Sequence, residues 1–330
     1  MDAMTDVLIL GGTGWLSGQV ARRWVDAGAS VTCLARGGRP VPAGAALVVA
    51  DRDAPDAYAA VADRDWDEVV DISSRADHAG AAVAALADRA VHWTCVSTVS
   101  VYAHDDVPGQ DETAPLAEPA RPGDPYDYSR EKSAVEASVL AALADRAAIV
   151  RPGLVVGPGD RTDRFGYWVS RFALAGDGPV LVPDAGGAGV SVIDVDDLAD
   201  VVFAVGREKW TGIANAVGDG IAFDDVLALA ADVAGHTGVL VTAPGPWLVE
   251  QGVSYWMGPR SLPLWLPAEA IGHWTRSNTV YRDLGGRLRP LRETLARTLA
   301  DERARGLDRE RASGLSRADE RSLLAALAQR

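Results

Sequence analysis

The chain has 330 residues, of which 48% are hydrophobic, enough for one large domain or for a domain with a smaller lobe. Its net charge of −14 disfavours nucleic acid and anionic membranes as partners, because both attract basic surfaces. Cys33 and Cys95 lie in apolar, strand-like runs, so we expect core thiols and neither a disulfide nor a metal site. Neither a signal peptide nor a membrane-spanning apolar segment is evident, and we therefore expect a cytoplasmic protein.

Short Val/Ile-rich runs alternate with Ala-rich stretches through the first 150 residues. The runs that predict strands are 7–10, 31–35, 46–50, 68–73, 93–97 and 148–152. The stretches that predict helices are 15–27, 54–63, 76–90 and 126–144. This alternation predicts an α/β fold with a doubly wound parallel sheet of the Rossmann type.

The alternation breaks at residues 103–125, where Pro, Gly, Asp and Glu predict a long loop after the carboxyl end of a strand. Open α/β sheets bind ligands at that edge. Beyond residue 153 the predicted elements are irregular and rich in Pro, Gly and Trp. We therefore expect a dinucleotide-binding domain over 1–160, a smaller substrate lobe over 161–300 intertwined with it, and a charged helical tail over 301–330. The tail is either a helix pair or a partly mobile segment.

The run VLILGGTGWLSG joins the first predicted strand to the first predicted helix. Gly11 permits a tight turn, Gly14 lets the backbone approach a pyrophosphate, and the helix N-terminus supplies amide donors. Ser17 stands where a third glycine is usual, and we expect slightly altered packing from it rather than lost binding. In this strand-turn-helix context the run predicts dinucleotide binding.

The residues after the second and third predicted strands indicate which dinucleotide is bound. NAD-specific sites usually have Asp or Glu after the second strand, whereas this chain has Arg36, with Arg39 close behind. A guanidinium suits the 2′-phosphate of NADP, so the sequence favours NADP over NAD, unless Arg36 is a plain surface arginine. Asp51 after the third strand is either an acceptor for the adenine amino group or part of a solvated turn.

Tyr128 and Lys132 stand four residues apart at the start of an Ala/Glu-rich helical run, so phenol and ammonium share one helix face. A cation beside a phenol lowers its pKa from about 10. The pair therefore predicts a general acid/base for proton transfer at a hydroxyl or carbonyl. The spacing alone is common in helices, and the glycine-rich turn is what makes it informative.

In chain order the motifs are GGTGWLSG, ADRD, VVDIS, VSTVSVY, YDYSREK, RPGLVVGPGD and VIDVDDLAD. Over residues 5–300 this series resembles the extended short-chain dehydrogenases/reductases of the NAD-dependent epimerase/dehydratase type. The runs RFGYW, EQGV, LPLWLP and GLDRERASGLS are similar to a bacterial isoflavone-reductase-like subgroup, whose label names no substrate. The resemblance implies hydride transfer at a nicotinamide, coupled to a proton that moves through Tyr128.

The resemblance also implies a role for each matching residue. Lys132 would bind the nicotinamide ribose and lower the pKa of Tyr128, and Thr98 would hydrogen-bond the reacting oxygen. At the pyrophosphate the resemblance implies Gly11, Gly14, Trp15 and Leu16. At the adenine it implies Asp51 and Arg52, and at the nicotinamide end Ile72, Ser73, Pro152 and Gly153. Many relatives form homodimers through the helix that bears the tyrosine, so a homodimer and a monomer both stay open.

Two departures from the family pattern narrow the chemistry. Val99 and Ser100 follow Thr98 where sugar-nucleotide 4,6-dehydratases have an Asp-Glu pair, which disfavours water elimination. Val190 stands where sugar-nucleotide epimerases commonly have an arginine for the diphosphate, which disfavours such substrates.

Candidate substrate contacts come from the 103–125 loop and from the second lobe. They are His104, Arg164, Tyr167, Trp168 and Trp256. Arg164 offers a guanidinium for an anionic group, and the large rings offer stacking surfaces. The alternatives are an ordinary loop histidine and an amphipathic helix whose aromatic rings pack between the lobes. His273 lies in the same Pro/Trp-rich segment as Trp256 and is a further pocket candidate.

We therefore expect an NADP(H)-dependent reductase or dehydrogenase that acts on a small or secondary-metabolite carbonyl or alcohol. One alternative is an epimerase on a sugar-like substrate, with retained NAD and a transient keto intermediate. Another is a non-catalytic NAD(P)-binding sensor or interaction protein, which the complete set of Thr98, Tyr128 and Lys132 disfavours.

Overall fold

The computed structural model describes residues 4–329. The strands in chain order are β1 (Asp6–Leu10), β2 (Ser30–Ala35), β3 (Ala46–Val49), β4 (Glu68–Asp71), β5 (Trp93–Val96), β6 (Ala147–Pro152), β7 (Leu154–Val156), β8 (Val180–Pro183), β9 (Gly189–Val190), β10 (Val192–Asp194), β11 (Gly212–Ala216), β12 (Ile221–Ala222), β13 (Leu240–Ala243), β14 (Ser254–Trp256) and β15 (Ser261–Pro263). The α-helices are α1 (Trp15–Asp26), α2 (Ala76–Leu86), α3 (Tyr128–Leu143), α4 (Arg164–Ala175), α5 (Val195–Glu208), α6 (Phe223–Ala234), α7 (Gly245–Glu250), α8 (Gly272–Thr275), α9 (Thr279–Asp283), α10 (Leu291–Arg305) and α11 (Arg317–Leu327).

The centre of the fold is a seven-stranded parallel sheet with the strand order β11-β6-β5-β4-β1-β2-β3. Helices α1 and α5 bury their apolar faces on one side of it, and α2 and α3 on the other. The predicted doubly wound Rossmann sheet is therefore confirmed. Strand order reverses between β1 and β4, and ligands of such sheets bind outside the strand ends at that reversal.

One predicted helix is wrong. Residues 54–63 form consecutive turns, with backbone bonds from the Ala57 amide to the Ala54 carbonyl and from the Val61 amide to the Tyr58 carbonyl. Ala57, Tyr58 and Val61 are buried against the sheet, and the Tyr58 hydroxyl accepts from Arg52 at 2.7 Å. The segment is short, and the backbone that places these three side chains against the sheet cannot also form the continuous hydrogen bonds of an α-helix. The predicted long loop is observed, since 103–127 contains neither helix nor named strand.

The second lobe has its own apolar core, built around α4, α6, α10, β8 and β13. The chain returns from this lobe to the sheet through α5 and β11. The predicted boundary at residue 301 is wrong, because it falls inside α10. Leu299 before that point and Leu315 and Leu323 after it belong to the same core, so the tail is part of the lobe.

Buried ion pairs fasten the tail to the lobe. Asp163 and Glu302 are 4% and 2% exposed. Arg305, Arg309 and Arg311 pair with both carboxylates. Within residues 4–329 no helix is long and apolar enough to cross a lipid bilayer.

Candidate active site

The glycine turn between β1 and α1 has the close backbone approaches that a dinucleotide needs. Gly11 has a φ of 84°, and a Cβ on Gly12 would lie 2.4 Å from the Cys33 Sγ. Ser17 occupies the position of the usual third glycine and donates its hydroxyl to the Gly11 carbonyl at 2.7 Å. Gly14 caps α1 without a side-chain hydrogen bond, so the first amides of the helix, at Trp15 and Leu16, face the turn. The residues present therefore fit a pyrophosphate.

Two predicted cofactor contacts after β2 and β3 are exposed. Arg36 follows β2 directly and makes no ion pair within the described part of the chain. Asp51 after β3 accepts a hydrogen bond from the Asp53 amide at 3.1 Å, as a turn residue does. Both positions are accessible to an adenosine group, and their roles stay predictions.

Arg52 is placed differently from its neighbour. Its guanidinium turns inward and donates to the Tyr58 hydroxyl, to Asp71 at 3.2 Å and to the Ser73 hydroxyl at 2.5 Å. Burial lowers the pKa of Arg52, but the charges and hydrogen bonds of Asp71 and Tyr58 together outweigh burial, and the net shift of the pKa is upward. Arg52 therefore braces the end of β4, with Ile72 and Ser73 beside it, instead of standing free for the adenine.

Lys132 lies under the same strand ends. It is 2% exposed, and its Nζ donates to the carbonyls of Ser73 and Val96, both at 2.6 Å. These bonds tie α3 to the carboxyl ends of β4 and β5. An ammonium has three donors, so one remains for a ribose hydroxyl. Burial lowers the pKa of Lys132.

Tyr128 is the first residue of α3, which begins there because the Asp127 side chain accepts from the Arg130 amide at 2.9 Å. Tyr128 is 43% exposed, and its partial withdrawal from water into the cavity raises the pKa of the phenol, while the nearby Thr98 hydroxyl and the charge of Arg164 lower it in part. The two groups that lower this pKa are thus Thr98 and Arg164, and the same effect expected of Lys132 stays a prediction.

A cavity of about 520 Å³ opens beside Tyr128. Its lining residues come from the first turn, the end of β5, the β6–β7 segment, the start of α4 and the 256–273 region: Trp15, Ser97, Thr98, Val99, Ser100, Tyr128, Pro152, Gly153, Leu154, Val155, Asp160, Thr162, Arg164, Trp256, Met257 and His273. The cavity therefore joins the predicted acid/base, the predicted nicotinamide contacts and two predicted substrate contacts.

Three of the predicted substrate residues lie elsewhere. Tyr167 and Trp168 are 2% and 1% exposed in the core of the second lobe, and the Trp168 Nε1 donates to the Pro263 carbonyl at 2.7 Å. They face away from the cavity because α4 turns its aromatic side into the lobe. His104 is exposed on the long loop, where its carbonyl accepts from Arg276 at 2.8 Å.

Arg164, Trp256 and His273 form one wall of the cavity. The Arg164 Cζ lies 5.3 Å from the centroid of the Trp256 ring, and the His273 ring meets the Trp256 ring edge-on at 4.9 Å. Burial lowers the pKa of His273, which favours its neutral form. Sequence reasoning missed Asp160, Thr162 and Met257. Asp160 ends the RPGLVVGPGD motif and Thr162 lies two residues beyond it, so the motif was their available signal.

Asp53, Asp77 and His78 are a group of potential metal ligands within the described residues, and two of them are exposed. Arg75 pairs with Asp53 at 3.1 Å and also with Asp77, and the His78 Nε2 lies 2.8 Å from Asp53. The group is thus explained as a surface charge cluster.

One curated relative is a reductase, the 2′-dehydrokanamycin reductase of Streptomyces kanamyceticus. It is 32% identical over 201 residues, which cover 58% of this chain and 55% of the relative. The chain thus spans little more than half the length of that protein.

Solved structures share the fold over nearly the whole chain. A Burkholderia cenocepacia protein described as an epimerase superposes with a TM-score of 0.71 at 22% identity, covering 91% of this chain and 98% of that one. The Bordetella bronchiseptica enzyme WbmG, solved with NAD, has a TM-score of 0.67 at 16% identity, covering 93% and 96%. The sequence model of the NAD dependent epimerase/dehydratase family matches residues 7–217, and the chain belongs to that family.

Proposed function

We propose that this protein is an NADP(H)-dependent reductase or dehydrogenase of a small carbonyl or alcohol compound. The observation that supports it most directly is the cavity that Thr98, Tyr128, Pro152 and Gly153 line together. A carbonyl oxygen in this cavity meets two hydroxyl donors, and the buried Lys132 lies on the next turn of the helix that bears Tyr128. This is the donor set that proton-coupled reduction needs.

Each side chain has a distinct task in this reaction. A bound nicotinamide supplies or accepts the hydride. Tyr128 donates the proton to the carbonyl oxygen in reduction and accepts it in oxidation. Thr98 hydrogen-bonds the same oxygen, and its hydroxyl lowers the pKa of Tyr128 in part. Lys132 holds β4, β5 and α3 in register with its two carbonyl bonds and offers its remaining donor to a ribose hydroxyl.

Two features favour a reductase over a sugar-nucleotide epimerase. Val190 is 5% exposed in β9, so this position supplies no cation for a diphosphate. The Trp274 ring packs against the neighbouring Gly189 so closely that a Cβ added to Gly189 would lie 2.4 Å from the ring, so there is no room for a larger side chain at this position either. The curated relative is named as a reductase, which agrees with this choice. For NADP, the support is the free guanidinium of Arg36.

The replacement Tyr128→Phe tests the proposal. We expect kcat for NADPH-dependent ketone reduction to fall by roughly 10²- to 10⁴-fold, since the general acid is lost. NADPH binding, followed by fluorescence titration, stays unchanged. Tyr126→Phe is the matched control, because Tyr126 lies two residues earlier and is 62% exposed. Full activity of Tyr128→Phe would exclude the assigned proton transfer.

A second measurement separates the reductase from the epimerase. The purified protein is denatured, and any released nucleotide is identified and counted. Nucleotide-free protein that binds NADPH more tightly than NADH supports the reductase. Stoichiometric NAD that survives purification supports the epimerase alternative instead.

A further inference from the structure

Arg164 lines the cavity, and its terminal guanidinium nitrogens have neither a hydrogen-bond nor an ion-pair partner among the described residues. Its Nε donates to the Thr162 hydroxyl at 3.1 Å, and no hydrogen bond or ion pair among residues 4–329 reaches its two terminal nitrogens. The side chain is partly buried, and burial lowers the pKa of Arg164. The charge of Asp160, which lines the same cavity, raises the pKa of Arg164 in part, but its carboxylate forms no ion pair with the guanidinium. A partly buried guanidinium without a directly bonded anion is unfavourable, so this arrangement favours an anionic ligand.

The carboxylates next to Arg164 in sequence are committed to other groups. Asp163, its immediate neighbour, is bound by Arg305 and Arg309 and by the Ala312 amide at 2.8 Å. Asp160 accepts from the Thr162 amide at 2.8 Å and from the Thr162 hydroxyl at 2.9 Å. Neither carboxylate bonds to Arg164, which therefore stays directed at the cavity.

The surroundings of Arg164 also limit the shape of the anion. The Trp256 ring lies beside the guanidinium at 5.3 Å, and Trp256 and Met257 add apolar surface. Burial lowers the pKa of His273, which lies next to Trp256, so His273 is mainly neutral and Arg164 carries the main positive charge of this wall. One unpaired guanidinium balances one negative charge, and its two parallel N–H groups match the two oxygens of a planar carboxylate.

We propose that the substrate is an oxo or hydroxy carboxylic acid with an apolar body, and that Arg164 binds its carboxylate while Tyr128 and Thr98 bind the reacting oxygen. This inference rests on the proposed reductase function and names its substrate class. Arg164 is then a specificity-determining residue. It binds the acid group, and its charge also lowers the pKa of Tyr128 in part, so the ester comparison between wild type and Arg164→Met is made at a pH where Tyr128 stays protonated in both proteins.

The test uses a panel of phenyl-substituted oxo acids in which zero to three methylenes separate ketone and carboxylate, each paired with its methyl ester. With NADPH, we expect wild-type kcat/KM to favour at least one acid over its ester by roughly 10- to 100-fold. Arg164→Met removes that preference by raising KM for the acid and leaves the ester within a few-fold. Arg164→Lys restores part of it, because it keeps the charge and loses the bidentate geometry.

Arg161→Met is the matched control, since Arg161 lies three residues earlier, is exposed and does not line the cavity. If Arg164→Met lowered kcat/KM equally for an oxo acid and its methyl ester, the inference would be overturned. It would also be overturned if the wild-type enzyme reduced the ketone group of these compounds without preferring any acid over its ester. The proposed function survives both results. It fails separately if the wild type reduces no carbonyl compound with either nucleotide. In that case calorimetric binding of 3-phenylpropionate to wild type and to Arg164→Met still decides whether Arg164 binds a carboxylate.

Discussion

The pKa of Tyr128 depends on side chains from two other parts of the chain. Thr98 follows β5 and Arg164 begins α4, and both lower a phenol pKa that burial raises above its usual value near 10. The net shift is upward, so Tyr128 is protonated at neutral pH. A protonated phenol is the form that donates a proton during reduction.

The pH dependence of reduction tests this control. Activity falls as pH rises through the pKa of Tyr128, because the phenolate has no proton to give. Arg164→Met removes a cation that stabilises the phenolate, so the pKa rises further and the falling limb moves to higher pH. The measurement is kcat against pH for a neutral ketone, with Arg161→Met as the control. A limb that stays in place in Arg164→Met would show that the two side chains do not interact.

The proposed preference for NADPH over NADH depends on one exposed residue, Arg36. Arg36 follows β2 and is free to bind a 2′-phosphate. We expect Arg36→Ala to weaken NADPH binding by roughly 10-fold or more, the value of a charge-assisted hydrogen bond, and to leave NADH nearly unchanged. Titration of the same variant with both nucleotides supplies its own control. Equal weakening for both nucleotides would contradict a phosphate contact.

The glycine turn shows how one element depends on its neighbour. Gly12 lies against β2, where an added Cβ would stand 2.4 Å from the Cys33 Sγ and 2.5 Å from the Cys33 Cβ. Gly18 lies inside α1 with no atom within 4 Å of an added Cβ. The two glycines are thus opposite cases within seven residues of chain.

We expect Gly12→Ala to cost about 1–3 kcal/mol of stability through overpacking and to weaken nucleotide binding as β1 and β2 shift. Gly18→Ala should be neutral or stabilising by about 0.5–1 kcal/mol, because alanine favours a helix interior. Thermal unfolding with and without NADPH measures both effects. Similar stabilities for the two variants would contradict the close packing of Gly12.

At the scale of the molecule, the C-terminal segment completes the second lobe and its ion pairs. Glu302 is 2% exposed and pairs with Arg305, Arg309 and Arg311. We expect Glu302→Gln to destabilise the protein by about 3 kcal/mol, since it leaves three partly buried guanidinium groups short of negative charge. Urea unfolding measures this. The exposed Glu310→Gln is the control and should stay within about 0.5 kcal/mol of wild type. A similarly small effect at Glu302 would contradict the importance of this cluster.

The sequence by itself determined the Rossmann sheet and the glycine-rich turn after its first strand, because both depend on local patterns. The Val/Ile runs alternate with helical stretches at the observed strand positions, and GGTGWLSG marks the joint between β1 and α1. Tyr128 and Lys132 were also readable, since one helical turn separates them. The helix expected at 54–63 failed because long-range contacts at Tyr58 competed with local propensity.

Only the tertiary structure decided which side chains meet in the cavity. Tyr167 and Trp168 follow Arg164 closely in sequence, yet they turn into the lobe core while Arg164 faces Tyr128. Sequence neighbours on a helix point in different directions, and their surroundings depend on distant segments that pack against each face. Whether an arginine is paired also depends on the whole chain. Asp163 is occupied by arginines from the tail, and the guanidinium beside it therefore stays open to a ligand.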